Sequence, residues 1–244
     1  MIASIVIRAK NEAKDIGDAL DRISRQIGVS SFETIVVDSG STDGTVEIAR
    51  QFDTQIIEIP PESFSFGRAL NIGIEAASGE YVIALSAHSL PADNTWLSKL
   101  IEPLSDPTVG GVYGRHIPRS NVTALELFGM KLSGVTSHRP RRQNRDMMFS
   151  NANSALRRSL TIEQPFNPTL PGGEDFEWVD RIQRRGWIVC YQPTAAVYHS
   201  HGESFGKLVR RIIHDQPTIW RLKLGMLDPR VRYASREETR VSQP

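Results

Sequence analysis

The sequence predicts an α/β fold with a mostly parallel central sheet and helices on both of its faces. Short β-branched runs alternate with helical patterns through the first 110 residues, the signature of strand–helix–strand units. At 244 residues the chain can bury a substantial core as one large domain with a tail. Hydrophobic residues at 39% and charged residues at 23% match a globular chain.

The elements follow in order. ASIVIRA is the first strand, and NEAKDIGDALDRISRQI then spaces Ile16, Leu20, Ile23 and Ile27 at the period of a helix. ETIVVD is a second strand and STDGTVEIARQF a second helix, with Ser41 or Thr42 placed to cap it. TQIIEI is a third strand, GRALNIGIEAAS a third helix ending before Gly79, and EYVIAL a fourth strand. After Pro91 the pattern loosens into a helix, NTWLSKLIEPL, and a strand, VGGVYGR. Residues 117–147 form a polar, arginine-rich connection with a helix near 122–135. FSNANSALRR is a strand or turn, EDFEWVDRIQRRG a helix ending at Gly186, and WIVCYQPTAAVYHSHG two further short strands. From Ser204 a basic stretch of helical pattern leads into a polar end, SREETRVSQP.

Composition narrows the function. A net charge of +1 gives no global field for nucleic acid, and only the tail and the stretch Arg139 to Arg145 are locally basic. A single cysteine, Cys190, excludes an intrachain disulfide framework and a cysteine-rich zinc site, and suits a reducing compartment. The apolar start is too short for a signal peptide, and no segment reaches the roughly 20 apolar residues of a membrane span. The expectation is a cytoplasmic protein, with peripheral contact at the inner face of the membrane open to it. No G-x-x-x-x-G-K-[ST] loop is present, which removes the main support for a nucleotidyl- or phosphotransferase reading.

Sheets of this type bind ligands beyond the carboxyl ends of their strands, so the residues there matter most. In VVDSGSTDGT, Asp38 closes a strand, and the turn amides and helix start that follow can face phosphate. The same stretch also reads as an ordinary capped connection. In GRALNIG, Arg68 and Asn71 share a helix face, and Arg68 can reach a diphosphate through its fork or simply sit in solvent. In LPGGEDFEW, a Pro-Gly-Gly turn delivers Glu174 and Asp175 into the first turn of a helix. Acids are favoured there by the helix dipole, so Asp175 is expected to stay ionised at neutral pH and to accept a proton from a hydroxyl. His199 and His201 lie two apart at a strand end, and His88 follows the fourth strand in LSAHSLP.

SIVIRAKNE, VVDSGSTDGT, GRALNIGIEAASGEYVIAL, SLPADNTWL, FSNANSALRR, GGEDFEW and YHSHG occur in the order seen in family 2 glycosyltransferases of the GT-A fold. The resemblance covers roughly residues 2–205. It implies a glycosyltransferase domain over 1–205, with a nucleotide-binding half (1–115) and an acceptor and catalytic half (116–205). Residues 206–244 follow as a basic helical extension and tail. The resemblance places Arg8, Ala9, Asn11, Glu12, Asp38 and Ser39 around the base and ribose of a nucleotide-diphosphate sugar. It sets Arg68 and Asn71 on the nucleotide side; Ser86 and Ala87 are counted with the donor-binding residues, and Arg68 or Arg115 is a candidate to neutralise the diphosphate without metal. Asp175, beside Glu174, becomes the catalytic base of an inverting, in-line displacement. The resemblance also implies a glycan or lipid-linked hydroxyl as acceptor and a part in polysaccharide biosynthesis.

One departure stands out. Where the family carries an Asp-x-Asp metal motif, this chain has Ser86-Ala87-His88. Three readings follow. His88 with His199 or His201 can hold a divalent metal, manganese rather than magnesium because the ligands are imidazoles. A histidinium or an arginine can serve the diphosphate without metal. Or the domain is a non-catalytic nucleotide-sugar-binding or assembly module. The basic amphipathic stretch after Ser204 suits an anionic membrane surface, a homodimer interface or packing on the domain.

Overall fold

A computed structural model describes residues 2–200. Its strands are β1 (Ala3–Ala9), β2 (Phe32–Asp38), β3 (Gln55–Glu58), β4 (Tyr81–Ser86), β5 (Leu90–Pro91), β6 (Val109–Ile117), β7 (Arg141–Gln143), β8 (Asn153–Arg157) and β9 (Ile188–Tyr198). They form one sheet in the order β3-β2-β1-β4-β8-β6-β9-β5, with β7 also on β9. The helices are α1 (Ile16–Ser24), α2 (Thr45–Ala49), α3 (Phe66–Ala76), α4 (Trp96–Ile101), α5 (Ala124–Ser133), α6 (Arg158–Glu163) and α7 (Glu174–Gln183).

Side-chain alternation along β1 divides the core. Ile5 and Ile7 face a cluster with Leu20 and Ile23 of α1 and Trp96, Leu97 and Leu100 of α4. Val6 faces the other side, with Leu70 and Ile74 of α3 and Trp178 and Ile182 of α7. Helices therefore cover both faces, as predicted. None among the described residues is long and apolar enough to cross a membrane.

The pairing is more mixed than the sequence suggests. β3, β2, β1 and β4 are parallel, and so are β6 and β9. β8 runs antiparallel to both β4 and β6, and β5 and β7 run antiparallel to β9. The reversal of β8 has a consequence for the site. It brings Asn153, at the start of β8, beside Leu85, at the end of β4. The sheet is also continuous across the expected division at residue 115, because β8 lies between β4 and β6.

Three local expectations are corrected. Helix α1 ends at Ser24, so Ile27 lies beyond it and is 59% exposed. Helix α2 begins from Gly44 in the left-handed region (φ 94°) without a side-chain cap, because Ser41 and Thr42 bond to Asp38 and Asn11 instead. The segment expected to give two strands is the single strand β9, whose register with β6 shifts between Gly114 and Arg115. The expected helical extension after residue 205, and His201, lie outside the described residues.

Candidate active site

The carboxyl ends of β1, β2 and β4 end side by side: Ala9 is in register with Asp38, and Arg8 with Ser86. The loop after β1 is held against the loop after β2. Asn11, itself at φ 54°, donates its backbone N–H to Ser41 Oγ (2.8 Å) and accepts from the Thr42 N–H through Oδ1 (2.9 Å). The Glu12 N–H donates to Thr45 Oγ1 at 2.8 Å. Ser39 is buried, and its N–H and hydroxyl both donate to the Ala9 carbonyl.

Asp38 is only 1% exposed. Its Oδ1 accepts from the N–H groups of Gly40 (2.9 Å) and Ser41 (2.8 Å), and its Oδ2 accepts from the Ser41 hydroxyl. The carboxylate expected to meet base or ribose is thus turned into its own loop, which it shapes. Asn71 departs further from expectation. Its amide is used at both ends by Phe166, donating to the carbonyl (2.8 Å) and accepting from the N–H (2.9 Å). It is a strut between α3 and the segment leading to α7. Ala87 is fully buried among core residues, so only its backbone is left to meet a ligand. Arg68 is half-buried in the first turn of α3, where Ser65 Oγ caps its N–H.

Beside β1 lies the start of α7, entered through Gly173 in the left-handed region (φ 72°). Glu174, buried, accepts from Arg8 Nη1 and from Asn151 Nδ2, each at 3.3 Å. Arg8 lies over the Phe66 ring at 5.1 Å, and its buried Nε has no hydrogen-bond partner among the described residues. Asp175 is half-buried; its Oδ2 accepts from the Asn151 N–H at 3.4 Å and its Oδ1 from the Phe176 N–H at 2.9 Å. Burial, and next the negative charge of Glu174, push the Asp175 carboxyl up to about 8. That direction runs against the expectation of an ionised Asp175, because desolvation and the charge of Glu174 oppose the pull of the helix dipole.

Across the same edge stands a group of imidazoles. His88 Nδ1 lies 2.9 Å from Glu12 Oε1, and Ser86 Oγ is 3.3 Å from the ring nitrogens. The His88 ring stacks on that of His199, with centroids 5.0 Å apart and planes 18° from parallel. His116 packs against His199 at 4.7 Å. It is buried, and burial first and the charge of His88 second push it down to about 4, so it is neutral at physiological pH. Arg119 ties the loop together, donating to Asp15 at 2.6 Å and, at 3.5 Å, to the His88 carbonyl. Arg115, on β6, contacts His138 at 2.8 Å.

The expected residues therefore meet along one sheet edge in two groups: Arg8, Glu174 and Asp175, and Glu12, Ser86, His88 and His199. Asn151, His116 and Arg119 carry contacts that the sequence does not announce. Asn151 does lie in the FSNANSALRR motif, but only the reversal of β8 brings it to Asp175. Two surface cavities, of about 500 Å³ at Arg141–Asp146 and about 280 Å³ beside Cys190 and Tyr191, are lined by none of the site residues.

His88 and His199 suit a divalent metal in their chemistry. A proton on Nδ1 of His88, donated to Glu12, leaves the lone pair on Nε2, the orientation that carboxylate partners impose on metal-binding histidines. No group of three or more His, Cys, Asp or Glu among the described residues is arranged to hold a metal by itself.

The sequence pattern of glycosyl transferase family 2 matches residues 4–163. The chain is 29% identical over 231 residues to glycosyltransferase AglE of Haloferax volcanii, covering 90% of this chain and 74% of that protein. It is 26% identical over 211 residues to the O-antigen chain rhamnosyltransferase RfbN of Salmonella typhimurium, covering 82% and 67%. Among solved structures it is similar to the mannosyltransferase PcManGT from Pyrobaculum calidifontis in complex with GDP-Man and Mn2+, with a TM-score of 0.71 at 22% identity. That match covers 92% of this chain and 64% of the other, so the chain spans less than two thirds of that protein's length. Glucosyl-3-phosphoglycerate synthase from Mycobacterium tuberculosis, in complex with Mn2+, UDP and phosphoglyceric acid, gives a TM-score of 0.67 at 22% identity, over 93% and 80%. With the family pattern matched over more than half of its residues, the chain belongs to glycosyl transferase family 2 and has the GT-A fold.

Proposed function

We propose that the protein moves a sugar from a nucleotide-diphosphate sugar to an acceptor hydroxyl with inversion, Asp175 acting as general base. The observation that carries this reading is the Asp175 carboxyl, fixed by the Asn151 and Phe176 amides and raised to about 8 beside an intact Arg8–Glu174 pair. A base with that affinity for protons is well matched to taking one from a hydroxyl in the transition state. Glu174 stays bound to Arg8 and Asn151, where its charge strengthens Asp175 as a base. The loops after β1 and β2 present the Gly40–Thr45 turn to the nucleotide, and Arg8, Arg68 and Arg115 supply positive charge around the cleft.

A divalent metal, when bound, would neutralise the leaving diphosphate. His88 and His199 would hold it, with His201 and donor phosphates as further ligands, and imidazoles favour manganese over magnesium. The Mn2+ in both similar complexes supports this choice. The O-antigen chain activity of one relative supports a glycan or lipid-linked acceptor. The test is calorimetric titration of UDP, GDP and dTDP into metal-stripped protein, repeated with manganese. Tight binding of one nucleotide, tightened further by manganese, is expected. No binding by any of them would favour an assembly module instead.

A further inference from the structure

Asn151 is only 2% exposed, in the turn that leads into β8. That turn is braced from several directions. The Asn153 N–H closes it onto the Ser150 carbonyl (3.1 Å), and the Ala152 carbonyl accepts from the Ser86 N–H (3.3 Å). The Asn153 amide accepts from the Trp96 indole N–H (2.9 Å) and donates to the Ala195 carbonyl (3.0 Å). Asn151 thus meets α7 from a backbone whose place is set by its neighbours.

Its two kinds of donor go to different acids. The backbone N–H donates to Asp175 Oδ2 (3.4 Å), and the side-chain Nδ2 donates to Glu174 Oε1 (3.3 Å), the oxygen that also accepts from Arg8 Nη1. An ionised carboxylate can only accept, so a charged Glu174 requires the amide to present Nδ2 and not Oδ1. The Ser154 hydroxyl, fully buried, completes this arrangement by donating to Asn151 Oδ1 at 3.2 Å. The charged groups that face Asp175 are Glu174 on its own helix and Arg8 from β1. Glu177, farther along α7, is taken up by Arg181, and the turn before β8 brings only neutral Asn151.

We propose that the Asn151 side chain is a positioning residue for the transfer reaction: its hydrogen bond keeps the negative charge on Glu174 and leaves Asp175 as the proton-exchanging acid of the pair. This rests on the reading of Asp175 as general base and adds what divides the two acids. Without the Nδ2 donor, Glu174 loses one of the two side-chain hydrogen bonds that favour its charged form, and it competes for the proton. Once Glu174 is neutral, the charge that strengthens Asp175 as a base is gone. The side chain of Asn151 bonds to Glu174 and Ser154, whereas its backbone meets Asp175. A side-chain substitution therefore reaches Asp175 through Glu174.

NMR of the side-chain carboxyl carbons, in the full chain isotopically labelled at Asp and Glu, reads this division without any substrate. The variants Asp175→Asn and Glu174→Gln assign the two signals. In Asn151→Leu the Asp175 signal should titrate about one pH unit lower than in wild type, with the proton appearing on Glu174 instead. The rising limb of the single-turnover pH profile should move down with it. Asn151→Ser, a smaller change, should act in the same direction and keeps the test open where leucine disturbs folding. An Asp175 signal that titrates unchanged, or higher, in a folded Asn151 variant would overturn the proposal. The two readings fail separately. Full activity in Asp175→Asn would remove the base and with it a role in transfer for Asn151, whereas an unmoved Asp175 titration beside an inactive Asp175→Asn would remove Asn151 alone.

Discussion

Two adjacent carboxyl groups at the start of α7 are set apart by what they touch. Glu174 meets Arg8 and the Asn151 amide, whereas Asp175 accepts from the backbone N–H groups of Asn151 and Phe176 and feels the charges of Glu174 and Arg8. Asp175→Asn should lower sugar transfer by about 10²-fold or more while leaving donor affinity close to wild type, as single-turnover kinetics and calorimetry would read. The wild-type rate should climb with pH and level off above about 8, since the base works only after losing its proton. The sign for stability is opposite. A folded-state value raised from 3.8 to about 8 means that folding favours the neutral acid, a stabilisation present below pH 4 and lost as pH rises through 8. Asp175→Asn should therefore melt a few degrees above wild type at pH 8, by calorimetry. The residue types were legible in the PGGED turn, but their protonation was not, because desolvation depends on segments far away in sequence. On the imidazole side, Glu12→Ala removes the partner of His88 Nδ1 and should weaken manganese binding by 10- to 100-fold, measured by titration with the nucleotide present.

At the scale of elements, periodicity located α1, α3 and α7 and the strands β1 to β4, because each carries its own apolar pattern. It overran α1 to Ile27, since a matching apolar residue beyond the helix end looks the same in sequence. It divided β9, whereas the strand runs through Pro193 and Thr194 with a shift in register opposite Gly114 and Arg115. That shift depends on a close approach. A Cβ on Gly114 would lie 2.0 Å from the Ala195 carbonyl oxygen, a backbone atom that cannot step aside. Gly114→Ala should cost about 1–3 kcal/mol in denaturant unfolding, and a wild-type midpoint would place the two strands farther apart than described. Gly44 shows the other limit. Ser41 and Thr42 looked like caps for α2, but the neighbouring loop needed their hydrogen bonds, and a left-handed glycine opens the helix instead.

For the whole molecule, strand–helix alternation revealed the parallel half but not the other. The antiparallel insertion of β8 between β4 and β6 is a long-range pairing that no local pattern encodes. The same insertion assembles the site, bringing Asn151 to α7 beside the β1 and β4 ends. The candidate residues were accordingly legible as a list of motifs, but their division into a carboxylate group and an imidazole group was not. Asn71 illustrates the difference, since sharing a helix face with Arg68 did not announce the pair of hydrogen bonds that tie it to Phe166. On the proposed mechanism Asp175 takes the acceptor proton in transfer from a nucleotide sugar. The most direct measurement is the pH dependence of single-turnover transfer by wild type and Asp175→Asn, using the sugar donor of whichever nucleotide binds. The expected result is a wild-type rate rising tenfold per pH unit toward a plateau above about 8 and a slow variant without that rise. Equal profiles in the two proteins would remove Asp175 from the reaction.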